Sequence, residues 1–274
     1  MAIITISRQV GSLSHEIAPG LAKKLGWTLI DKETTREALK KYDIDDEIIE
    51  KYDEKKPGFK DSFSLDNERY FNYFKLYLFQ RAVESKGCVF LGRGGAFLLR
   101  DVPGVFRIRL VASEKSRIER ITARYDCDEK EAKKIIMQSD RERTGFHKYY
   151  YREDWNDPES YDITFNTDLF TTDMIGKMVE SMVKAYLKEA YRAEGRRILE
   201  DKLTAQRVII KILYEENLPV HLLEVRVSDG LAELTGTVEV ESIIESCTQA
   251  ASRVSGINSI DNKIVFVSQY PPII

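Results

Sequence analysis

Residues 3–25, IITISRQVGSLSHEIAPGLAKKL, decide the fold that this sequence predicts. The isoleucines at its start indicate a buried strand, and Gly11 and Ser12 indicate a tight turn after that strand. Ile17 and Leu21 then recur at the spacing of one helix face. A loop between a strand and a helix can surround an anion with backbone N–H groups and the positive end of the helix. The stretch therefore predicts the phosphate-binding start of an α/β domain.

The turn departs from the phosphate-loop pattern G-x-x-x-x-G-K-[ST]. That pattern would require glycine at Arg8 and Leu13, lysine at Ser14 and a hydroxyl at His15. One missing charged donor corresponds to roughly 3 kcal/mol, or about a hundredfold in rate, and Arg8, Lys32 or an arginine of a mobile lid could replace it. Three additive losses would reach roughly 9 kcal/mol and end useful catalysis, although losses within one site seldom add. The loop geometry is therefore expected, whereas turnover is left open.

The composition of the 274 residues is that of an ordinary globular protein with one large domain or two. A net charge of −3 gives no general attraction for nucleic acid or for anionic membranes. The three cysteines and three histidines are scattered, so no metal ligand is predicted among them. The sequence has neither a basic run before an apolar segment nor an apolar run of membrane-spanning length, and it is expected to be cytoplasmic.

Polar residues follow two further predicted strands. Asp31 and Arg36 come after the strand at residues 27–30, and Arg93 follows the strand at residues 88–91 within the segment Gly-Arg-Gly-Gly. Ligands collect at the carboxyl ends of parallel strands, and an arginine can hold a phosphate there with two parallel hydrogen bonds. These three polar residues are therefore candidates for binding a second substrate. The alternative for Asp31 is that it only caps the next helix.

The chain between these sites predicts supporting structure. Residues 40–60 carry many charges without a sustained apolar face, which is typical of a solvated helical insert with a mobile end; an acceptor-binding lobe is the alternative. Residues 66–85 predict a firm helix whose aromatic side chains belong to the core. Arg117, Arg120 and Arg124 are expected on the outward face of a later helix. If one of them reaches a nucleotide, Arg117 is the candidate.

A second informative stretch begins with a helix predicted at residues 129–139, for which Asp126 and Glu129 form a capping-box-like start. It continues into D-R-E-R, which contains Arg141 and Arg143, and then into a run of tyrosines and basic residues. Arginines on a mobile lid can stabilise the charge of a transferring phosphoryl group. The competing interpretation is binding of single-stranded nucleic acid, and the acidic balance of the chain counts against it.

Three motifs resemble the cytidylate-kinase-like proteins, relatives of the P-loop nucleoside monophosphate kinases. They are the opening ISRQVGSxSxEIAxxLAKKLGWTLIDKE, the segment GRGG, and D-R-x-R followed by Y-Y-x-R-x-x-W-x-D-P-x-x-Y-D-I-x-x-N-T. The resemblance implies an α/β fold with a P-loop kinase-type parallel sheet flanked by helices. It implies transfer of a γ-phosphoryl group from ATP or another NTP, with Mg²⁺, to a nucleoside monophosphate. The implied site residues are Gly11, Ser12, Leu13, Ser14 and His15 around the donor, Asp31, Arg36 and Arg93 around the acceptor, and Arg141 and Arg143 on the transferring group.

The chain changes character after a predicted helix stop at Gly195. Asp229 and Gly230 join two alternating runs, which is a strong signal for a hairpin with a tight turn. The element order is α-β-β-α-β, and V-x-V-x-D-G-x-x-x-L-x-G-x-V resembles the BON domain. We therefore predict a kinase-type domain at residues 1–195, a linker at 196–202 and a small α+β BON-like domain at 203–268.

Two functional hypotheses follow. The sequence does not determine whether the protein turns over, which acceptor base it uses or its oligomeric state. One hypothesis is a catalytically weak or inactive nucleotide-binding sensor that signals through the BON-like domain. The resemblance implies a protein or small-ligand partner for that domain. The departures in the loop favour it. The other hypothesis is an NTP-dependent, cytidylate-like nucleoside monophosphate kinase. The lid and the acceptor-side arginines favour this enzyme, which we prefer at the level of family.

Overall fold

The computed structural model describes residues 2–58, 64–186 and 189–268. Internal contacts divide the chain into two compact units. The first unit comprises Met1–Tyr70 and Glu84–Gly195, and the second comprises Phe71–Val83 and Arg196–Ile274. Every helix in the described ranges falls short of a membrane span, in length or in apolar character.

The first unit is built on a parallel sheet of five strands in the order β2-β3-β1-β4-β5. The strands are β1 (Ala2–Arg8), β2 (Thr28–Ile30), β3 (Gly87–Leu91), β4 (Val105–Val111) and β5 (Ile163–Asn166). The helices of the chain as far as residue 210 are α1 (Ser14–Leu25), α2 (Lys32–Lys40), α3 (Asp46–Tyr52), α4 (Leu65–Glu84), α5 (Gly95–Leu98), α6 (Glu114–Tyr125), α7 (Glu129–Tyr150), α8 (Thr172–Tyr186) and α9 (Glu189–Ile210). The predicted parallel sheet with flanking helices is confirmed.

The apolar core of this unit lies between the sheet and the helices α1 and α8. β1 is buried along almost its whole length because it is the middle strand. Ile17 and Leu21 are buried on the helix face predicted for them. Burying such a side chain contributes about 1.5–3 kcal/mol, so β1 and α1 firmly hold both ends of the loop between them.

The second unit carries a mixed sheet of three strands in the order β6-β7-β8, and a helix packs on it. β6 and β7 are antiparallel, whereas β8 is parallel to β7. Asp229 and Gly230 have φ values of 50° and 82°, the primed-turn geometry that a two-residue hairpin favours. The predicted hairpin is therefore confirmed. The elements are β6 (His221–Ser228), β7 (Leu231–Val238), α10 (Ser242–Ser252) and β8 (Ser259–Phe266).

The start and the length of α7 differ from the prediction. Asp128 is its N-cap, and the carboxylate of Asp128 accepts a hydrogen bond from the backbone N–H of Glu131 at 2.7 Å. Asp126 instead ends α6 with a φ of 50°. α7 then continues past Ser139 to Tyr150, so that the whole D-R-E-R segment is helical.

The predicted helix stop at Gly195 is wrong. α9 passes through Gly195 and through residues 196–202, so the predicted linker is helical. A glycine inside a helix costs only about 1 kcal/mol relative to alanine. Here it also serves packing, because a Cβ on Gly195 would overlap the carbonyl oxygen of Pro103. The internal contacts nevertheless change from one unit to the other between Gly195 and Arg196.

Candidate functional site

The loop after β1 forms the predicted turn. The side chains of Ser12 and Leu13 pack into the protein, whereas Ser14 and His15 line the space in front of the loop. The hydroxyl of Ser12, which is fully buried, donates to the carbonyl oxygen of Gln9 at 2.7 Å. Leu13 has a φ of 58° and packs against the sheet core. Ser14 and His15 begin α1 and line the space in front of the loop. The first N–H groups of α1 have no partner within the helix, and a bound anion can use them.

His15 does not supply the positive charge of the missing lysine. Burial and the nearby Arg124 lower the pKa of His15. Its imidazole is therefore neutral at neutral pH, and its contact with Glu16, at 3.6 Å, is not an ion pair under those conditions. The cation that replaces the lysine must come from elsewhere in the chain.

Gly11 lies directly against α6. Its φ is 81°, and a Cβ on it would come within 3.1 Å of the Cα of Arg117. Arg117 is buried; it donates to the carbonyl oxygen of Val10 at 2.8 Å and to both carboxylate oxygens of Asp140 at 2.8 Å. Arg120 donates to the carbonyl oxygen of Gly11 at 3.0 Å. The outward orientation predicted for these two arginines is wrong, since they hold the loop in place.

A cavity of about 370 Å³ opens in front of this loop, at the carboxyl ends of β1 and β3. Parallel α/β sheets bind their ligands at this end of the strands. Its lining includes five arginine or lysine side chains and three carboxylates, which leaves an excess of positive charge. The cations are Arg8, Lys32, Arg93, Arg124 and Arg143, and the carboxylates are those of Asp53, Glu54 and Glu142.

Glu54 is the centre of a charge cluster in this cavity. Its Oε1 accepts hydrogen bonds from Nη1 of Arg8 and from the backbone N–H of Arg93, the latter at 2.7 Å. Its Oε2 accepts from Nε of Arg143 at 3.3 Å. Burial acts to raise the pKa of Glu54, but Arg8 and Arg143 outweigh it and hold that pKa well below its usual range. The carboxylate is therefore charged throughout the neutral pH range.

Arg93 is the acceptor-side arginine that the sequence predicted, and its side chain is only 5% exposed. Its Nε donates to Oδ1 of Asp53 at 2.7 Å, and Oδ2 of Asp53 lies 3.8 Å from Nζ of Lys32. Burial acts to lower the pKa of Arg93, but Asp53 more than compensates and the pKa is raised. Among the described residues, Nη2 of Arg93 has no hydrogen-bond partner.

The glycines beside Arg93 make this arrangement possible. A Cβ on Gly92, whose φ is 86°, would overlap Oε1 of Glu54. A Cβ on Gly94, whose φ is 69°, would overlap the ring of Tyr151, and the hydroxyl of that tyrosine donates to the carbonyl oxygen of Arg93 at 2.8 Å. The glycines therefore allow the backbone of this segment to lie close to Glu54 and Tyr151, as the sequence predicts for a Gly-Arg-Gly-Gly segment.

Asp31 and Arg36 lie outside this cavity. The carboxylate of Asp31 accepts from the backbone N–H of Thr34 at 3.1 Å, and the hydroxyl of Thr34 accepts from the backbone N–H of Asp31 at 2.9 Å. This is a capping box at the start of α2, so the helix-capping alternative describes Asp31 here. Arg36 pairs with Asp46, with a distance of 2.6 Å from Nε to Oδ1. The structure thus brings neither residue to the loop.

Arg141 and Arg143 point to different places. Residues two apart on a helix are rotated by about 200°, so they cannot face one ligand together. Arg143 lines the cavity in front of the loop, whereas Arg141 lines an open hollow of about 970 Å³ with Lys56 and Lys134. Of the two predicted lid arginines, the structure brings only Arg143 to the site.

Asp53 and Glu54 are the site residues that the sequence prediction missed. They lie in the charged insert, where a solvated surface was expected; the mobile end predicted there extends to residues 59 and 60, which are outside the described ranges. Ile49 and Tyr52 of α3 are buried, and Glu54 follows with a φ of 53°. The spacing of Ile49 and Tyr52 on one helix face was the available signal that this insert packs against the domain.

An aromatic cluster supports the end of α7. Nε1 of Trp155 donates to the hydroxyl oxygen of Ser7 at 2.7 Å, and the guanidinium carbon of Arg109 lies 4.6 Å from the Trp155 ring centre. His147 is buried, and its Nδ1 lies 2.7 Å from the carbonyl oxygen of Arg143, so Nδ1 carries the proton. Burial lowers the pKa of His147 to about 4. Trp155 and His147 are therefore packed supports and not an exposed platform for stacking nucleic acid bases.

Two of the cavity carboxylates, those of Asp53 and Glu54, are engaged with cations, whereas Glu142 accepts a hydrogen bond from the side-chain amide of Gln138 at 2.9 Å. Within the described ranges, no group of three His, Cys, Asp or Glu side chains is placed to hold a metal ion. Mg²⁺ usually binds through one or two carboxylates together with substrate phosphates. Any Mg²⁺ at this site would therefore depend on phosphates brought by a nucleotide.

The geometry can be compared with that of known proteins. Residues 3–169, more than half of the chain, match the model of the Cytidylate kinase-like family. An uncharacterized protein from Eubacterium ventriosum is similar in structure with 21% identity and a TM-score of 0.51, over 68% of this chain and 99% of that chain. A shikimate kinase from Acinetobacter baumannii, solved with shikimate, gives 13% identity and a TM-score of 0.39, over 69% of this chain and 96% of that one. The similarity to the Eubacterium ventriosum protein supports the fold. The TM-score with the shikimate kinase is too low to add support.

A further relative is similar over a shorter stretch. A uronate isomerase from Corynebacterium glutamicum is 30% identical over 105 residues, which is 38% of this chain. The chain spans only 20% of the length of that curated relative. The activity named for that protein is therefore not transferred to this chain.

Proposed function

Because the chain belongs to the cytidylate kinase-like family, we propose that it binds a nucleoside triphosphate and a nucleoside monophosphate in the cavity in front of the β1–α1 loop. The supporting observation is the cationic lining of that cavity, with Arg93 and Arg143 facing a loop that begins a helix. Such a site holds phosphate groups through charge-assisted hydrogen bonds. The proposed reaction is transfer of the γ-phosphoryl group of ATP or another NTP to a cytidylate-like acceptor.

Each part of the site has a proposed role in this reaction. The backbone of Gly11, Ser14 and His15 cradles the donor phosphates, and Arg93 meets the acceptor. Arg143 neutralises charge on the transferring group. Phosphoryl transfer requires mainly that the groups be held in line and their charge neutralised, and this site offers both functions.

A second candidate function is nucleotide sensing without efficient turnover. The observation that favours it is the missing lysine, which corresponds to roughly 3 kcal/mol of transition-state stabilisation. Arg8 lines the same cavity and is a candidate replacement, but its guanidinium is engaged by Glu54. In this candidate the α-β-β-α-β unit, which we propose is BON-like, would bind the protein or small-ligand partner that receives the signal.

The two candidates are separated by a turnover assay. The purified chain is incubated with ATP, Mg²⁺ and a panel of nucleoside monophosphates while diphosphate formation is followed. Arg143→Ala is the test variant, and Arg141→Ala is its matched control because it changes the same residue type on the same helix but at a different hollow. The kinase predicts turnover in the wild type and the control, and a loss of at least about a hundredfold in Arg143→Ala.

Other results have equally definite meanings. Tight nucleotide binding by the wild type without diphosphate formation would support the sensor. Absence of nucleotide binding by the wild type would contradict both candidates.

A further inference from the structure

Three donors from separate elements converge on the carboxylate of Glu54. Arg8 ends β1, Arg93 offers its backbone N–H from the loop after β3, and Arg143 reaches in from α7. Two guanidinium groups with a backbone N–H beside a glycine form a donor set suited to phosphoryl oxygens. The side chain of Glu54 therefore occupies a position whose chemistry suits an oxyanion.

Glu54 reaches this position from a turn that can release it. A φ of 53° is unfavourable for a glutamate, because its Cβ crowds the backbone in the left-handed region. The turn follows Tyr52, which is buried and anchors the end of α3. Rotation about the side-chain bonds of Glu54 can withdraw the carboxylate while α3 stays in place.

We propose that Arg8, Arg143 and the backbone N–H of Arg93 form a binding site for a phosphoryl dianion, and that Glu54 occupies this site until the dianion displaces it. The exchange keeps both guanidinium groups paired, because one anion replaces another. A dianion interacts more strongly with two cations than a single carboxylate does.

The alternative is that Glu54 is a permanent counter-ion. In that case the arginines would be structural, and a phosphate would find no free donors on them. The two possibilities differ in what removal of the Glu54 charge does to phosphate binding. The identity of the phosphoryl carrier rests on the proposed function, whereas the anion site itself is tested without a nucleotide.

The experiment uses the full chain, inorganic phosphate as the probe and the variant Glu54→Gln. Glu153→Gln is the matched control, because Glu153 pairs with Arg100 at 2.6 Å and neither residue lines the cavity. Phosphate affinity is measured by isothermal titration at constant ionic strength set with sodium chloride. We expect Glu54→Gln to bind phosphate at least about tenfold more tightly than the wild type, the scale of one charged hydrogen bond, and Glu153→Gln to match the wild type.

Thermal unfolding supplies a second measurement. Glu54→Gln removes the carboxylate that pairs with both guanidinium groups, so we expect its melting temperature to fall in chloride and to recover in phosphate. The recovery should exceed the shift that phosphate gives the wild type, because tighter binding to the folded state adds more stability. If Glu54→Gln does not fold, Glu54→Asp keeps the charge but shortens the reach by one methylene. It should then bind phosphate more tightly than the wild type.

Two results would overturn the proposal. One is equal phosphate affinity in the wild type and in the folded Glu54 variant. The other is a loss of stability in Glu54→Gln that phosphate does not restore. The proposed function fails in a different way, namely if these chains bind phosphate as expected but do not bind nucleotides.

Discussion

A side chain on Gly92 would collide with the pair formed by Arg8 and Glu54. Its φ of 86° is also unfavourable for any residue with a Cβ. We therefore expect Gly92→Ala to lower the free energy of unfolding by about 1–3 kcal/mol in urea titrations. Gly20→Ala is the control, because among the described residues no atom beyond the adjacent backbone of α1 lies within 4 Å of a Cβ there. Alanine should therefore stabilise α1 by about 0.5–1 kcal/mol. If Gly92→Ala were as stable as the wild type, this would contradict the close packing of Gly92 against Arg8 and Glu54.

His147 gives the fold a pH dependence. Burial lowers its pKa from 6.5 to about 4, so the folded state favours the neutral imidazole. The stabilisation is fully present above pH 6.5 and is lost as the pH falls from 6.5 towards 4, amounting to about 2 kcal/mol at about pH 5. Urea unfolding at about pH 7 and about pH 5 should show this loss in the wild type and much less of it in His147→Gln.

The control for this measurement is the exposed His221. His221→Gln should keep the pH dependence of the wild type. The same loss of stability in His147→Gln as in the wild type would assign the dependence to other groups and contradict the role of His147.

A residue of the site could be predicted from the sequence only where its residue type is unusual for its local sequence context. Arg93 follows a strand and is flanked by glycines, so its place in the cavity could be predicted. Asp53 and Glu54 could not be, because they lie in a charged run that has the composition of a solvated surface. Glu54 is paired with Arg8 and Arg143 and Asp53 with Arg93, and all three of these cations are distant in sequence.

At the scale of elements, the start of α2 separates a structural role from a ligand-binding role. Asp31→Ala should lower the free energy of unfolding by about 0.5–2 kcal/mol, because the capping box is lost. Its affinity for nucleotides should match that of the wild type, since Asp31 lies outside the cavity. Unfolding titrations and nucleotide titrations of the same preparation measure both effects.

Asp45→Ala is the matched control for that variant. Asp45 is the N-cap of α3, but its side chain makes no capping hydrogen bond, so its loss should change stability less than the loss of Asp31. A nucleotide affinity reduced in Asp31→Ala but not in Asp45→Ala would restore Asp31 to the acceptor site.

Most strands and helices could be predicted from periodicity, because their buried faces repeat at the spacing of the element. The start of α7 could not. Asp126 and Glu129 have the same spacing as Asp128 and Glu131, so the local sequence offers two equivalent caps. The choice depends on the end of α6, where Asp126 takes the left-handed conformation that reverses the chain.

At the scale of the whole molecule, a segment of α4 joins the C-terminal unit through buried polar groups. Nε2 of Gln206 donates to Oδ1 of Asn72 at 3.1 Å, and Nδ2 of Asn72 donates to the hydroxyl of Tyr214 at 3.0 Å. Gln206→Leu should leave the buried amide oxygen of Asn72 without this donor and lower the free energy of unfolding by about 1–3 kcal/mol. Gln249→Leu, on the exposed face of α10, should stay within about 0.5 kcal/mol of the wild type. Equal stabilities of the two variants would contradict this role of α4.

The division into units shows where prediction from a linear sequence ends. A change in composition near Gly195 could be recognised, and the contacts do change there. The participation of Phe71–Val83 in the second unit could not be, because it depends on residues more than a hundred positions away, such as Gln206. Local patterns carry no information about such pairings.

Both proposed functions require that phosphates bind in front of the β1–α1 loop and beside Arg143. The most direct measurement is a crystal structure of the full chain with a non-hydrolysable ATP analogue. We predict phosphate oxygens within hydrogen-bond distance of the first N–H groups of α1 and of the Arg143 guanidinium. Phosphates seated instead in the hollow around Lys56, Lys134 and Arg141, with the cavity in front of the loop left to solvent, would contradict the account.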